Sequence, residues 1–158
     1  MVRMMCCGEH NDFHGVSTPA VLAAVRAHAA ASYPRECCGL VFDDGVRHCT
    51  NVQDALHAAD PAAFPRDARR AFRLSDADQL VLARSFGGPR PVRALYHSHV
   101  DCGAYLSAAD VRGATLDGLP LYPALLHLVV AVRRGVPGAA ALFALDAAGP
   151  RELRRYAT

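Results

Sequence analysis

Lysine is missing altogether: each of the 17 basic side chains is an arginine. Arginine serves equally well as a solvated surface charge, so the absence reads as a compositional bias towards Arg, Ala, Gly and Pro and excludes no chemistry by itself. Tryptophan is absent and aromatic residues make up only 7% of the chain. Much of its 52% hydrophobic content is alanine, so a core must come from Leu, Val and Phe clusters. A surplus of one charge is also lacking: the net charge of +2 implies no wide basic face, which removes nucleic acid as the default partner. No apolar run is long enough for a membrane role, because residues 119–132 are interrupted by Pro120, Pro123 and His127 and fall short of the ~20 residues a span needs. The start lacks a secretory leader pattern, running instead into Cys6, Cys7, Glu9, His10, Asn11 and Asp12, so a cytoplasmic protein is expected. The six cysteines form two adjacent doublets and two singles without the regular spacing of a disulfide scaffold, and reduced thiols are expected.

What is present fits one domain of 158 residues. Residues 1–17 read as a flexible N-terminal tail, in which Cys6, Cys7, His10 and His14 are better taken as tail residues than as metal ligands. Residues 18–158 read as the domain. Thr18-Pro19 is an N-cap and first-turn pair, and Leu22, Val25 and Ala29 give one apolar helical face ending near Ser32. Pro34 forces its predecessor out of helical geometry, and residues 38–49 around Asp43-Asp44-Gly45 read as a β-hairpin. Residues 52–70 show no period and predict a long loop, and residues 71–74 predict a short strand. Ser75 and Asp78 form a capping pattern for a helix closed by Gly87-Gly88-Pro89. Residues 91–99 predict a buried strand, Ser107 opens a helix stopping near Gly113, and segments 125–132, 139–145 and 152–156 predict an antiparallel meander. Such an order implies an α/β sandwich with a mixed, mostly antiparallel sheet flanked by helices.

The chemistry gathers around His97-Ser98-His99. Residues two apart on a strand point to the same side, so both imidazoles converge, and the helical turn opened by Ser107 brings Asp110 round to face the strand end. Two imidazoles and a carboxylate, with a fourth position left for water, make the ligand set of a catalytic zinc ion. Taken singly, Ser107 and Asp110 satisfy a capping pattern and a His-x-His pair is commonly structural. From this chain's own residue frequencies the full spacing arises by chance roughly once in a thousand trials.

His97-x-His99-x7-Ser107-x2-Asp110, preceded by Glu36 in Pro34-Arg35-Glu36-Cys37-Cys38-Gly39-Leu40, resembles the JAMM (MPN-plus, Mov34-like) zinc metalloprotease signature. Asn51, Asp60-Pro61 and Phe72 follow in the order of its small prokaryotic branch, over roughly residues 18–146. The resemblance implies a cytidine-deaminase-like or MPN sandwich. It also implies one Zn2+ held by His97, His99 and Asp110, proton transfer by Glu36, and stabilisation of the tetrahedral intermediate by Ser107. The implied activity is peptidase or isopeptidase cleavage at the C-terminal tail of a ubiquitin-like or sulfur-carrier protein. Alternatives are a zinc amidase acting on a small molecule and a non-catalytic MPN-type interaction domain. The sequence departs from many relatives in lacking Pro after His99, and the Asn between the histidines and Pro-Ser-Gly of the RadC-like branch are absent. Arg66, Arg69 and Arg70 in the long loop are the expected hold on a carrier protein. Tyr96 and Ser98 are assigned to packing, Asp101 to a solvated loop charge, Cys102 to an ordinary free thiol, and one of Cys37 and Cys38 to the site wall. Nothing in the sequence sets an oligomeric state.

Overall fold

A computed structural model describes residues 15–158. The tail residues Cys6, Cys7, His10 and His14 lie outside the described residues, whereas Val16 is already buried in the core. Helix α1 (Pro19–Ser32) starts where Thr18 Oγ1 accepts a hydrogen bond from Val21 N at 3.2 Å and stops before Pro34. Its apolar stripe, Val21, Leu22, Val25 and Ala29, packs on one face of the sheet against Tyr96, Leu128, Val130 and Leu142.

Strands β1 (Cys38–Phe42) and β2 (Gly45–Cys49) form the expected hairpin, and β3 (Ala94–Val100) carries the histidines. The meander is β6 (Leu126–Arg133), β7 (Val136–Asp146) and β8 (Gly149–Tyr156). Together they form a six-stranded sheet in the order β2-β1-β3-β6-β7-β8, antiparallel throughout except where β3 pairs parallel with β6. Helices α2 (Gln53–Ala59), α3 (Asp76–Ser85) and α4 (Ala108–Ala114) occur in the segments between strands, and Thr115–Leu116 (β4) pairs with Leu119–Pro120 (β5) in a short separate hairpin. Leu82 of α3 packs with Cys38, Leu40 and Leu74, while Val111 of α4 packs with Ala104, Leu106, Val129 and Phe143. The sheet is thus covered on both faces, as the expected sandwich requires. Among the described residues no helix is long and apolar enough to cross a membrane.

Three expectations change. The loop over residues 52–70 contains α2, whose seven residues bury only Gln53 and so show no apolar period. The strand expected at 71–74 reduces to a single bridge between Asn51 and Leu74, because Asn51 Oδ1 and Nδ2 take the Arg73 N–H and the Ala71 carbonyl that a ladder would have used. Cys37 and Cys38 both enter cores, one on each face of the sheet, and neither lines the site.

Gly39 is where the sheet has no spare room. A Cβ there would overlap the Arg47 carbonyl oxygen and the ring of Tyr96, which is fully buried and held by His28 Nδ1 at 2.8 Å. Neither neighbour is a flexible chain end. Gly39→Ala is therefore expected to cost about 3 kcal/mol in denaturant unfolding, the upper end for an overpacked core; an unchanged midpoint would show that β1 and β3 slide apart freely.

Candidate metal centre

His97 and His99 sit near the end of β3 and point to the same side because they are two apart on a strand. Antiparallel pairing sets Cys38 against His97, and Ser98 N donates to the Cys37 carbonyl at 3.1 Å. Continuing that register brings Glu36, two residues before β1, opposite His99. Ser98 does more than pack: its Oγ accepts the Cys37 N–H at 2.8 Å and pins the chain leading to Glu36. Asn51 Nδ2 donates to the Glu36 carbonyl at 2.9 Å, and Glu36 N donates to the Ala68 carbonyl at 2.7 Å, so the main chain at Glu36 is held from three sides.

The capping box of α4 places the third group. Ser107 Oγ accepts from Asp110 N at 3.2 Å, and Ser107 N donates to Asp110 Oδ2 at 2.7 Å. The same Oδ2 lies 3.3 Å from His99 Nε2 and 3.5 Å from His97 Nε2, and the two Nε2 atoms are 3.1 Å apart. Capping and convergence on the histidines therefore coexist in one carboxylate. Among the described residues this is the one cluster of three donors able to hold a metal. A tetrahedron with bonds of about 2.05 Å has edges of about 3.3 Å, so the triangle has the size of a zinc face.

Protonation also fits. His99 Nδ1 faces the Gly103 carbonyl at 3.1 Å, and since a carbonyl only accepts, this nitrogen carries the proton and Nε2 presents its lone pair. His97 Nδ1 is buried with no partner, and its ring is set instead by stacking on Phe72, 4.5 Å between centroids. Burial lowers the His97 pKa and keeps the imidazole neutral. Burial also works against a charge on His99, but Asp110 and Glu36 raise its pKa. For Asp110, burial is outweighed by His97 and His99, which hold the carboxyl well below the usual range. The donor set thus combines an ionised carboxylate with two imidazoles, His97 held neutral and His99 having to release a proton to present its Nε2 lone pair.

Glu36 is 7% exposed, and burial pushes its pKa up to about 8 against the lowering influence of His99 and Arg66. Between about pH 4.5 and 8 the folded metal-free protein holds a proton on Glu36 that the unfolded chain does not. The stability contributed by this group is full below about pH 4.5 and is lost as pH rises through 8. Metal-free wild type is expected to lose more stability from pH 5 to pH 8 than metal-free Glu36→Gln; equal losses in thermal melts would contradict that environment.

Two cavities meet at these residues. A cleft of about 830 Å³ is lined by Glu36, His99, Ser107, Tyr105 and four arginines, and a narrower one of about 350 Å³ by Phe72, Leu95, Tyr122, His97 and Asp110. Both include Glu36, His99 and Ser107. All five expected site residues therefore come together. Cys102 is exposed in the wider cleft, while burial pushes the Cys37 and Cys49 thiols up to about 11 and 12, leaving them inert. Asp101 is exposed, as expected of a solvated loop charge, and at φ 56° it also accepts hydrogen bonds from Arg134 N at 2.9 Å and Tyr33 Oη at 3.2 Å, tying the end of β3 to the β6–β7 turn. Sequence reasoning missed the stacking of Phe72 on His97, the Gly103 carbonyl and Arg112. Only Phe72 had been singled out, through its place in the family pattern.

Residues 18–145 match the model of the family described as prokaryotic homologs of the JAB domain. A solution structure of a Desulfitobacterium hafniense protein is similar with TM-score 0.61 and 21% identity, covering 87% of this chain and 88% of that one. A solution structure of a Salinibacter ruber protein is similar with TM-score 0.53 and 28% identity, covering 87% of each. No curated protein matches the chain. With a match running from the cap of α1 to the end of β7, across every residue of the metal centre, the chain belongs to the prokaryotic JAB-domain family.

Proposed function

We propose that the protein is a zinc-dependent peptidase or isopeptidase acting at the C-terminal tail of a ubiquitin-like or sulfur-carrier protein. The observation that carries this reading is the convergence of His97, His99 and Asp110 within bonding distance of one point, with Glu36 buried in register beside them. When bound, zinc supplies Lewis acidity, which polarises a carbonyl and brings the pKa of water from ~15.7 towards ~7.

The chain's own residues supply the rest. Glu36, buried opposite His99, is the carboxyl placed to take a proton from the attacking water and to return it to the departing amine, and the positive charge of bound zinc would bring its pKa down from the raised metal-free value. Its main chain is pinned, which fixes the point from which the side chain reaches the site. Ser107 Oγ accepts the Asp110 N–H and its own proton makes no bond among the described residues, so it is available to donate to the oxygen that becomes negative at the tetrahedral stage. His99 is oriented by Gly103 and His97 by Phe72, which spares the site reorganisation during the reaction.

The carrier-tail substrate rests on the resemblance of the motif to the JAMM metalloproteases, and family membership supports JAMM-like function in general. The test is incubation of zinc-loaded protein with ubiquitin-like and sulfur-carrier proteins bearing C-terminal extensions or isopeptide-linked lysine, read by intact mass. The expected product is the carrier ending at its own tail. Intact fusions beside turnover of small amides would replace this reading with that of an amidase. Protein purified without zinc and inert after zinc addition would leave an interaction domain.

A further inference from the structure

The wider cleft carries a charge imbalance that amide hydrolysis does not require. Arg66, Arg69 and Arg70 line it from the loop after α2, and Arg112 lines it from α4. Among the described residues none of these four pairs with a carboxylate; the ion-paired arginines are Arg35, Arg47, Arg90, Arg93 and Arg155. Apart from Glu36, the acids lining the cleft are Asp67 and Asp101. Asp67 accepts from Arg69 N at 3.1 Å, and Asp101 is engaged by Arg134 N and Tyr33. Four exposed arginines therefore line one cleft whose acids besides Glu36 are already engaged, Asp67 in its own turn and Asp101 by Arg134 and Tyr33.

The loop bearing three of these charges is tied down. Buried Gln53 donates Nε2 to the Arg66 carbonyl at 2.7 Å, Asp54 Oδ1 accepts from Ala68 N at 2.8 Å, and Ala68 O receives the Glu36 N–H. The arginine wall and the proton-transferring residue are thus joined through one backbone hydrogen bond. With its backbone held in advance, the loop loses little main-chain freedom on binding an anion, and guanidinium groups offer paired donors that match a carboxylate.

We infer that this cleft receives a substrate carboxylate lying within a few residues of the bond that is cut, making Arg69 and Arg112 specificity-determining residues. The inference rests on the hydrolase reading only for the position of that bond; recognition of the carboxylate stands without it. An acidic side chain and a free chain terminus offer the same group, and the experiment separates them.

Zinc-loaded Glu36→Gln protein, in which turnover is expected to be slow enough to leave the peptides intact, is titrated by fluorescence anisotropy with three labelled peptides of one neutral sequence. One has a capped C-terminus and an added aspartate, one has a free C-terminus, and one is capped and neutral. Either carboxylate peptide is expected to bind about tenfold more tightly than the neutral one, with the advantage shrinking at high salt. Whichever does so identifies the source. The advantage is expected to vanish on adding Arg69→Glu with Arg112→Glu, and to fall on adding Arg69→Gln with Arg112→Gln, which keeps size and removes charge. Unchanged zinc content shows that each variant is folded. Equal binding of all three peptides, or an advantage that both double variants retain, overturns the inference. Carboxylate preference without hydrolysis by the wild type would sink the hydrolase reading alone, and hydrolysis indifferent to carboxylates would sink this inference alone.

Discussion

Glu36→Gln is expected to lower hydrolysis by about 10²- to 10⁴-fold, the usual contribution of a positioned general acid and base, while leaving zinc content at one per chain. The substitution keeps side-chain size and removes only the ability to accept and carry a proton. Because Glu36 is not among the three converging donors, metal content should not follow activity down. Its backbone bonds to Ala68 and Asn51 are main-chain bonds on the Glu36 side, so the amide variant retains them. Rates and zinc content measured on the same preparation separate loss of proton transfer from loss of metal. Full activity in this variant would mean that the proton takes another route.

Asp110→Asn is the second change with a large expected effect, and it separates the two duties of one side chain. The asparagine carbonyl oxygen can still accept the Ser107 N–H that Asp110 Oδ2 accepts at 2.7 Å, so α4 should keep its N-terminal cap. What disappears is the negative charge facing the two imidazoles. Zinc affinity is expected to fall by more than the ~10- to 100-fold typical of losing an outer-shell partner, and hydrolysis to fall with it. Metal-free melting should keep the share of the cap, about 1 kcal/mol, and lose only the attraction between this charge and His97 and His99. Competition with a chromogenic chelator measures the affinity, and thermal melts without metal measure the cap. If affinity were unchanged, Asp110 would be a capping residue and no more.

Much of the fold was legible because local rules act within a few residues. Thr18-Pro19, Ser75 with Asp78, and Ser107 with Asp110 each announced a helix start, and each cap is present. The meander announced itself through Arg134-Gly135 and Gly149, turn residues with positive φ. Helix α2 was hidden because it rests few apolar side chains on the core. Its Gln53 and Asp54 instead hold a loop through polar bonds, and polar bonds leave no period in a sequence. Asp101 is exposed, as its loop position announced, but its partners, Tyr33 and Arg134, were not legible because they are far away along the chain.

The same division runs through the site. Sequence alone determined that His97 and His99 face one way, since a strand repeats every two residues, and that Asp110 stands at the third position of a capped helix, where it can reach back. It also determined the chemical class of the donors. Tertiary structure decided that Glu36 lies opposite His99, because only the pairing of β1 with β3 sets that register across some sixty residues. It decided, too, that Glu36 is buried enough for its pKa to climb to about 8, which depends on everything packed around it. And it set Arg112 on the same cleft as Arg66, Arg69 and Arg70, residues that no local pattern connects. Direction along a strand or helix is a property of the nearest few residues, whereas register, burial and the sharing of a cleft arise only when distant segments close on one another.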